Sequence, residues 1–226
     1  MIQPSPLLVT GFIVLALALA AAFVWGVART GGNARAAALG AAAWLSLTGG
    51  AAAAGWVHAQ GRPPTLAVLL AAMAALAVWV ARGSVGGRLA AGLPLAVLVG
   101  VQGFRLPLEL LMHRAYEEGL MPVQMSYEGP NWDVLTGASA LVVAALLAAG
   151  RMPKWGVWLW NAAGFALLLN IVAISILSTP IPIRVFHNEP ANVWITAFPF
   201  VWLPTVMVMA ALVGHLIIFR RLQAGD

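Results

Sequence analysis

Apolar residues run along this chain in long blocks separated by short polar connections. A helix crossing a bilayer needs about 20 apolar residues in succession. Seven blocks reach or approach that length: roughly residues 7–28, 36–58, 65–81, 89–113, 132–150, 155–178 and 193–219. The pattern predicts an all-α integral membrane protein, a seven-transmembrane-helix bundle forming one membrane domain over residues 1–226. No polar stretch is long enough for a soluble domain. The seventh block is long and carries Pro199 and Pro204, which predict a kink because proline lacks the N–H of an interior helix bond. Gly40, Gly49, Gly50 and Gly55 in the second block predict close helix packing.

The basic residues give the bundle a direction. With the N-terminus outside, the cytoplasmic connections hold Arg29, Arg35, Arg82, Arg88, Arg151, Lys154, Arg220 and Arg221. The outer connections hold only Arg62, Arg114 and Arg184. Lys and Arg accumulate in cytoplasmic loops, so the expected topology is N-terminus outside and C-terminus inside. Glu117, Glu118, Glu128, Asp133 and Glu189 then lie at the outer face, and Asp226 at the inner terminus. No basic segment precedes the first block, which therefore reads as a spanning helix rather than a cleaved leader.

Composition sharpens this picture. The chain is 62% hydrophobic and 8% charged, against about 25% charged in soluble domains. The net charge of +5 sits in membrane-flanking loops and does not point to nucleic acid. Richness in Ala, Gly and Arg suits a bacterial cytoplasmic (inner) membrane. Cysteine is absent, which excludes disulfides and thiolate chemistry.

The fourth block carries charge inside its apolar run. Gln102, Arg105, Glu109 and His113 recur at spacings of three and four, which places them on one helix face. A lone Arg or Glu at the bilayer centre costs at least ~2.5–3.5 kcal/mol. Such residues pair, face the bundle interior, or bind something. Arg105 and Glu109, four apart, are expected to pair with each other. Pro107 is expected to free the carbonyl of Gly103 beside them. Asp133, Thr136, Asn170 and Ser175 fall at similar depth in the outer half, near the long outer loops that bear Glu128, Arg184, His187, Asn188, Glu189 and Asn192. Asn161 and His215 are nearly alone in the inner half. Asn131, Asp133 and Asn192 read as helix caps.

These placements predict an outward-facing polar pocket with an apolar floor. Its expected lining is Gln102, Arg105, Glu109, His113, Glu128, Asp133, Asn170 and Glu189. The expected function is to bind a small polar or ionic ligand, for transport or for sensing through a partner. Two alternatives stand beside it. One is a membrane-embedded enzyme with Glu109 and His113 as acid and base. The other is an accessory subunit that docks another membrane protein or a second copy. No cofactor is expected. A metal ion on His58, His113 and His187 is the alternative held open, without support from any H-x-x-H spacing, and no histidine spacing argues for haem. The only lysine, Lys154, lies in a loop, so no retinal Schiff base forms in the seventh helix. No G-x-S-x-G hydrolase motif occurs.

Overall fold

The structure is a computed structural model that describes residues 3–59 and 64–224; Arg62 and Asp226 lie outside the described residues. Its helices are α1 (Pro6–Arg29), α2 (Ala34–Ala53), α3 (Thr65–Arg82), α4 (Ser84–Gly92), α5 (Leu95–Val101), α6 (Arg105–Glu117), α7 (Val134–Ala148), α8 (Lys154–Ser178) and α9 (Met209–Gln223). No strand occurs among the described residues. Six helical stretches are long and apolar enough to cross a membrane. They are α1, α2, α3, Leu95–Glu117, α8 and Leu203–Gln223. The seventh apolar helix, α7, has only 15 residues. Exposure fits a lipid surround: Trp56, Trp79 and Trp155 are each about 70% exposed. Single exposed apolar residues are ordinary in any protein, but here they recur on most of the helices.

Proline and glycine redraw the expected boundaries. The fourth block is not one helix. Leu93 is extended before Pro94, as the residue preceding proline prefers, and this divides α4 from α5. A 3₁₀ turn at Gln102–Phe104 then separates α5 from α6. Pro107 falls in the first turn of α6, where a missing N–H leaves no bond unmade. The second block stops at Ala53, because Gly55 takes φ +72 and the Trp56 amide bonds back to the Ala51 carbonyl. That is a Schellman-type ending. The seventh block becomes a 3₁₀ turn at Trp194–Thr196, a π-helical turn at Leu203–Val208 and then α9. Pro204 cannot donate, and the wider π turn absorbs its missing bond. The Thr205 carbonyl accepts from Trp44 Nε1 at 2.8 Å, which ties α2 to this turn.

Helix α9 is the hub, packed against α3, α4, α5 and α8. Two apolar clusters fill the bundle. One holds Leu98, Val99, Val143, Val157, Ile217 and Ile218. The other holds Leu108, Met112, Leu168, Ile171, Met207 and Ala211. Between them lies a polar layer. Along α5–α6 the order is Leu98, then Gln102 and Arg105, then Leu108. Along α8 it is Val157, then Asn161, then Leu168, and along α9 it is Ala211, then His215, then Ile217. Helix α7 adds Asp133 and Thr136 before Val143. Arg105 and Glu109 of α6 point into this layer and are buried.

Candidate functional site

Arg105 organises the polar layer and is 1% exposed. Its Nε donates to Asp133 Oδ2 at 2.6 Å, and its Nη2 donates to Asp133 Oδ1. The pair is bidentate, the strong geometry for guanidinium and carboxylate. Nη1 donates to His215 Nε2 at 2.7 Å. Both terminal nitrogens also point at the Gly164 carbonyl, at 3.4 and 3.3 Å. A guanidinium has five N–H groups, and these contacts use all of them. Because Arg only donates, His215 Nε2 must accept. The His215 proton therefore sits on Nδ1 and goes to Asn161 Oδ1 at 2.8 Å. Asn161 Nδ2 donates in turn to the His215 carbonyl at 3.2 Å. His215 is thus a neutral, oriented imidazole.

The backbone makes room for these bonds at two glycines. A Cβ at Gly164 would lie 2.9 Å from His215 Cε1 and 2.8 Å from Thr136 Cγ2. A Cβ at Gly137 would lie 2.8 Å from the Arg105 carbonyl carbon. Gly214 is as close, with a Cβ there 2.3 Å from Gln102 Nε2, whereas a Cβ at Gly40 or Gly50 would meet nothing within 4 Å. Gly49 does pack closely, against the Trp202 ring at 3.0 Å.

Arg105 and Glu109 do not form the expected ion pair. Asp133 reaches Arg105 from the N-terminus of α7, where the helix dipole also favours a negative charge. It caps nothing with its side chain. Glu109, 1% exposed, accepts at Oε2 from Asn131 Nδ2 at 2.7 Å. The same Nδ2 reaches the Met125 carbonyl at 2.8 Å, and Asn131 Oδ1 accepts from the Asp133 amide at 3.1 Å. Asn131 thus holds the Glu109 carboxylate and the backbone of Asp133. Gln102 Nε2 donates to the Ala211 carbonyl at 3.1 Å, while Gln102 Oε1 and Thr136 Oγ1 are buried with no partner among the described residues.

The other expected lining residues are elsewhere. His113 is half-buried, stacked on Tyr127 at 4.4 Å, with Ser126 Oγ at 3.0 Å from Nδ1. Glu117 and Glu128 flank its Nε2 at 3.7 and 3.6 Å. Glu128 is half exposed at the surface. Asn170 donates to the Pro130 carbonyl at 2.9 Å. Glu189 is exposed and pairs with Arg184 at 3.0 Å. The Arg184 guanidinium and the Ala191 amide hold the Glu189 carboxyl below its ordinary value. Asn192 does not cap a seventh helix; its amide donates to Ser175 of α8 and to Thr179 just after it. Gln124 joins the two long loops, donating to Ser178 Oγ at 2.8 Å and accepting from Asn188 at 3.0 Å. His58 is exposed beside Thr65, and His187 is exposed. No cluster of three or more His, Asp or Glu suited to a metal forms among the described residues.

A cavity of about 70 Å³ opens between α3, α6, α8 and α9. Arg105, Glu109 and Asp133 supply its charged wall. Its remaining walls are mostly apolar, among them Leu70, Met73, Leu108, Leu168 and Ile171. At roughly 10–15 Å³ per water, it has room for several waters or a small molecule. A larger cleft of about 1000 Å³ shares Leu70, Ile176 and Thr179 with the cavity. That cleft lies where the start of α3 faces the segment after α8. Leu66, Ile181, Pro182 and Ile183 line it. The approach to the charged wall is therefore apolar, where a polar cup was expected. Beneath the polar layer, the cluster around Leu98, Val143 and Ile218 forms an apolar floor.

A family described as a domain of unknown function, DUF8737, matches residues 63–223. That stretch contains every residue of the polar layer and leaves out α1 and α2. No curated protein matches the chain, and no solved structure does.

Proposed function

The chain belongs to the DUF8737 family, and from the site that this stretch builds we propose a ligand-binding membrane protein. It is a seven-helix bundle of the bacterial cytoplasmic membrane, with α7 as the short seventh span. The N-terminus lies outside, as the loop asymmetry of basic residues requires. The cavity among α3, α6, α8 and α9 then opens towards the outer leaflet. Its ligand is small and has a polar or ionic group. Binding serves transport or sensing through a membrane partner. The observation that carries this reading is the meeting of a cavity with three buried charged residues, Arg105, Glu109 and Asp133. Intramembrane ionisable groups that border a cavity mark function by default, and concave apolar sites with a few convergent polar groups are the usual form of a ligand site.

The enzyme reading draws less support. Glu109 faces the cavity, whereas His113 turns to Ser126 and Tyr127 and is absent from its lining. An acid and a base must converge on one substrate, and these two have separate surroundings.

The test is to purify the protein in nanodiscs cut from native membrane and to release its bound small molecules for mass spectrometry. A Leu168→Trp variant, which fills the cavity, serves as the comparison. A molecule enriched with the unmodified chain and depleted from the variant is expected. Identical profiles from two equally folded preparations would overturn the proposal.

A further inference from the structure

The charge balance of the polar layer narrows the ligand. Arg105 is matched by Asp133 in bidentate fashion, and its other donors are taken by His215 and the Gly164 carbonyl. No N–H remains on it for an anion. Asp133 has both oxygens engaged by the same guanidinium. His215 is neutral, because its Nε2 accepts from Arg105. Glu109 is the group left over. Its one hydrogen bond among the described residues is from a neutral amide, Asn131, and it lines the cavity. An ionised Glu109 therefore gives the layer one carboxylate more than it has cations. Isolated charge in such surroundings is unfavourable, and a cation in the cavity removes the imbalance.

The walls select the rest of the ligand. The cavity is mostly apolar away from its charged wall, where Arg105 and Asp133 already neutralise each other, and its approach past Leu70 and Ile176 is mostly apolar as well. A hydrated metal ion would have to shed water against hydrocarbon along that path, with one carboxylate to receive it. A hydrocarbon chain meets no such barrier. We propose that the site takes a hydrophobic molecule bearing one positive charge, an alkylammonium. The ammonium settles on Glu109 and the chain lies along the cleft between α3 and α8. This inference rests on the ligand-binding reading above and adds to it the sign of the charge and the apolar body.

The experiment uses the full chain in nanodiscs with tritiated n-decylammonium, corrected for binding to empty nanodiscs. Unlabelled n-decylammonium, decanoate and 1-decanol are the competitors. Saturable binding is expected, displaced by the ammonium at least tenfold better than by decanoate or decanol. Glu109→Gln should weaken it about tenfold or more, the size of a lost charge-assisted bond. Leu70→Trp, which narrows the wall shared by cavity and cleft, should abolish it. The competitor series on the unmodified chain decides the sign of the charge even if a variant fails to fold. Decanoate or decanol competing as well as the ammonium overturns the charge assignment and leaves the ligand site standing. Unchanged ammonium binding in folded Glu109→Gln does the same. Absence of saturable binding by the ammonium overturns the inference; if direct binding of labelled decanoate and decanol also fails to saturate, the ligand-binding reading falls with it.

Discussion

Replacing Asp133 by leucine should be among the most damaging single changes in the bundle. The substitution strips Arg105 of two charge-assisted bonds, from Nε and Nη2. It leaves a guanidinium with 1% exposure facing only the Gly164 carbonyl and a neutral imidazole. Removing one member of a buried pair costs about 3–5 kcal/mol. The reciprocal change, Arg105→Met, leaves Asp133 at the N-terminus of α7. The helix dipole there recovers up to ~2 kcal/mol, so this loss should be the smaller, about 2–4 kcal/mol. In the double variant neither member of this pair is stranded; Glu109 loses the nearby Arg105 charge in the Arg105→Met and the double variant alike, so that cost cancels in the cycle. What remains is His215 Nε2 without a donor, about 1–3 kcal/mol. The double variant should therefore be more stable than the sum of the singles by at least ~2 kcal/mol, a coupling within the range seen for contacting residues. Reversible unfolding by sodium dodecyl sulfate in bicelles, followed by tryptophan fluorescence, measures all three. The same cycle with Glu109→Leu in place of Asp133→Leu should show weaker coupling. Additive losses for Arg105 and Asp133, or stronger coupling between Arg105 and Glu109, would refute the network described here.

Three further outcomes are expected. Gly164→Ala should lower stability by about 1–3 kcal/mol, because its Cβ presses on His215 and Thr136, whereas Gly40→Ala in α2, where a Cβ meets nothing within 4 Å, should raise it by about 0.5–1 kcal/mol; the same unfolding assay checks the pair, and a reversed order would contradict the packing. A reporter that fluoresces only in the cytoplasm should be bright when fused after Asp226, and a dark but expressed fusion would invert the topology. The Ala191 amide, which donates to Glu189 Oε2 at 2.7 Å, should report the titration of that carboxyl by NMR. Because Arg184 depresses it, the interaction contributes at neutral pH and is lost only as pH falls below the ordinary glutamate value of about 4.3; Arg184→Gln should raise the midpoint, and a midpoint already at or above 4.3 would sink the assignment.

The all-helical architecture and the approximate placement of the long apolar helices were legible because apolar block length is set by helix rise and bilayer thickness. Boundaries failed at Leu93–Pro94, Gly55 and Pro204, where one residue's backbone preference overrides a continuous apolar pattern. The inward direction of Gln102, Arg105 and Glu109 followed from their spacing. Their partners did not. Four-residue spacing favoured Glu109 for Arg105, yet the bidentate partner comes from α7, since a guanidinium beside a helix N-terminus can meet a carboxylate in a plane that a neighbour on its own helix does not offer. His215 and Asn161 stood out as polar residues in an apolar half, but their link to Arg105 needs the close approach at Gly164, for which a lone glycine gives no signal. Glu189, Glu128 and Asn170 share a depth with the site on paper, but the loops carry Glu189 and Glu128 to other contacts, and Asn170 on α8 bonds the Pro130 carbonyl.

The polar layer also imposes an order of assembly. Arg105 and Glu109 leave the ribosome before any of their partners. Asn131 follows Glu109 by 22 residues and Asp133 follows Arg105 by 28, whereas His215 comes 110 residues later. A segment holding two unmatched charges passes poorly into lipid on its own. Entry of α5 to α7 together would let Arg105 meet Asp133 before either charge faces lipid alone. The imidazole of α9 comes last, after Arg105 and Asp133 have both been made.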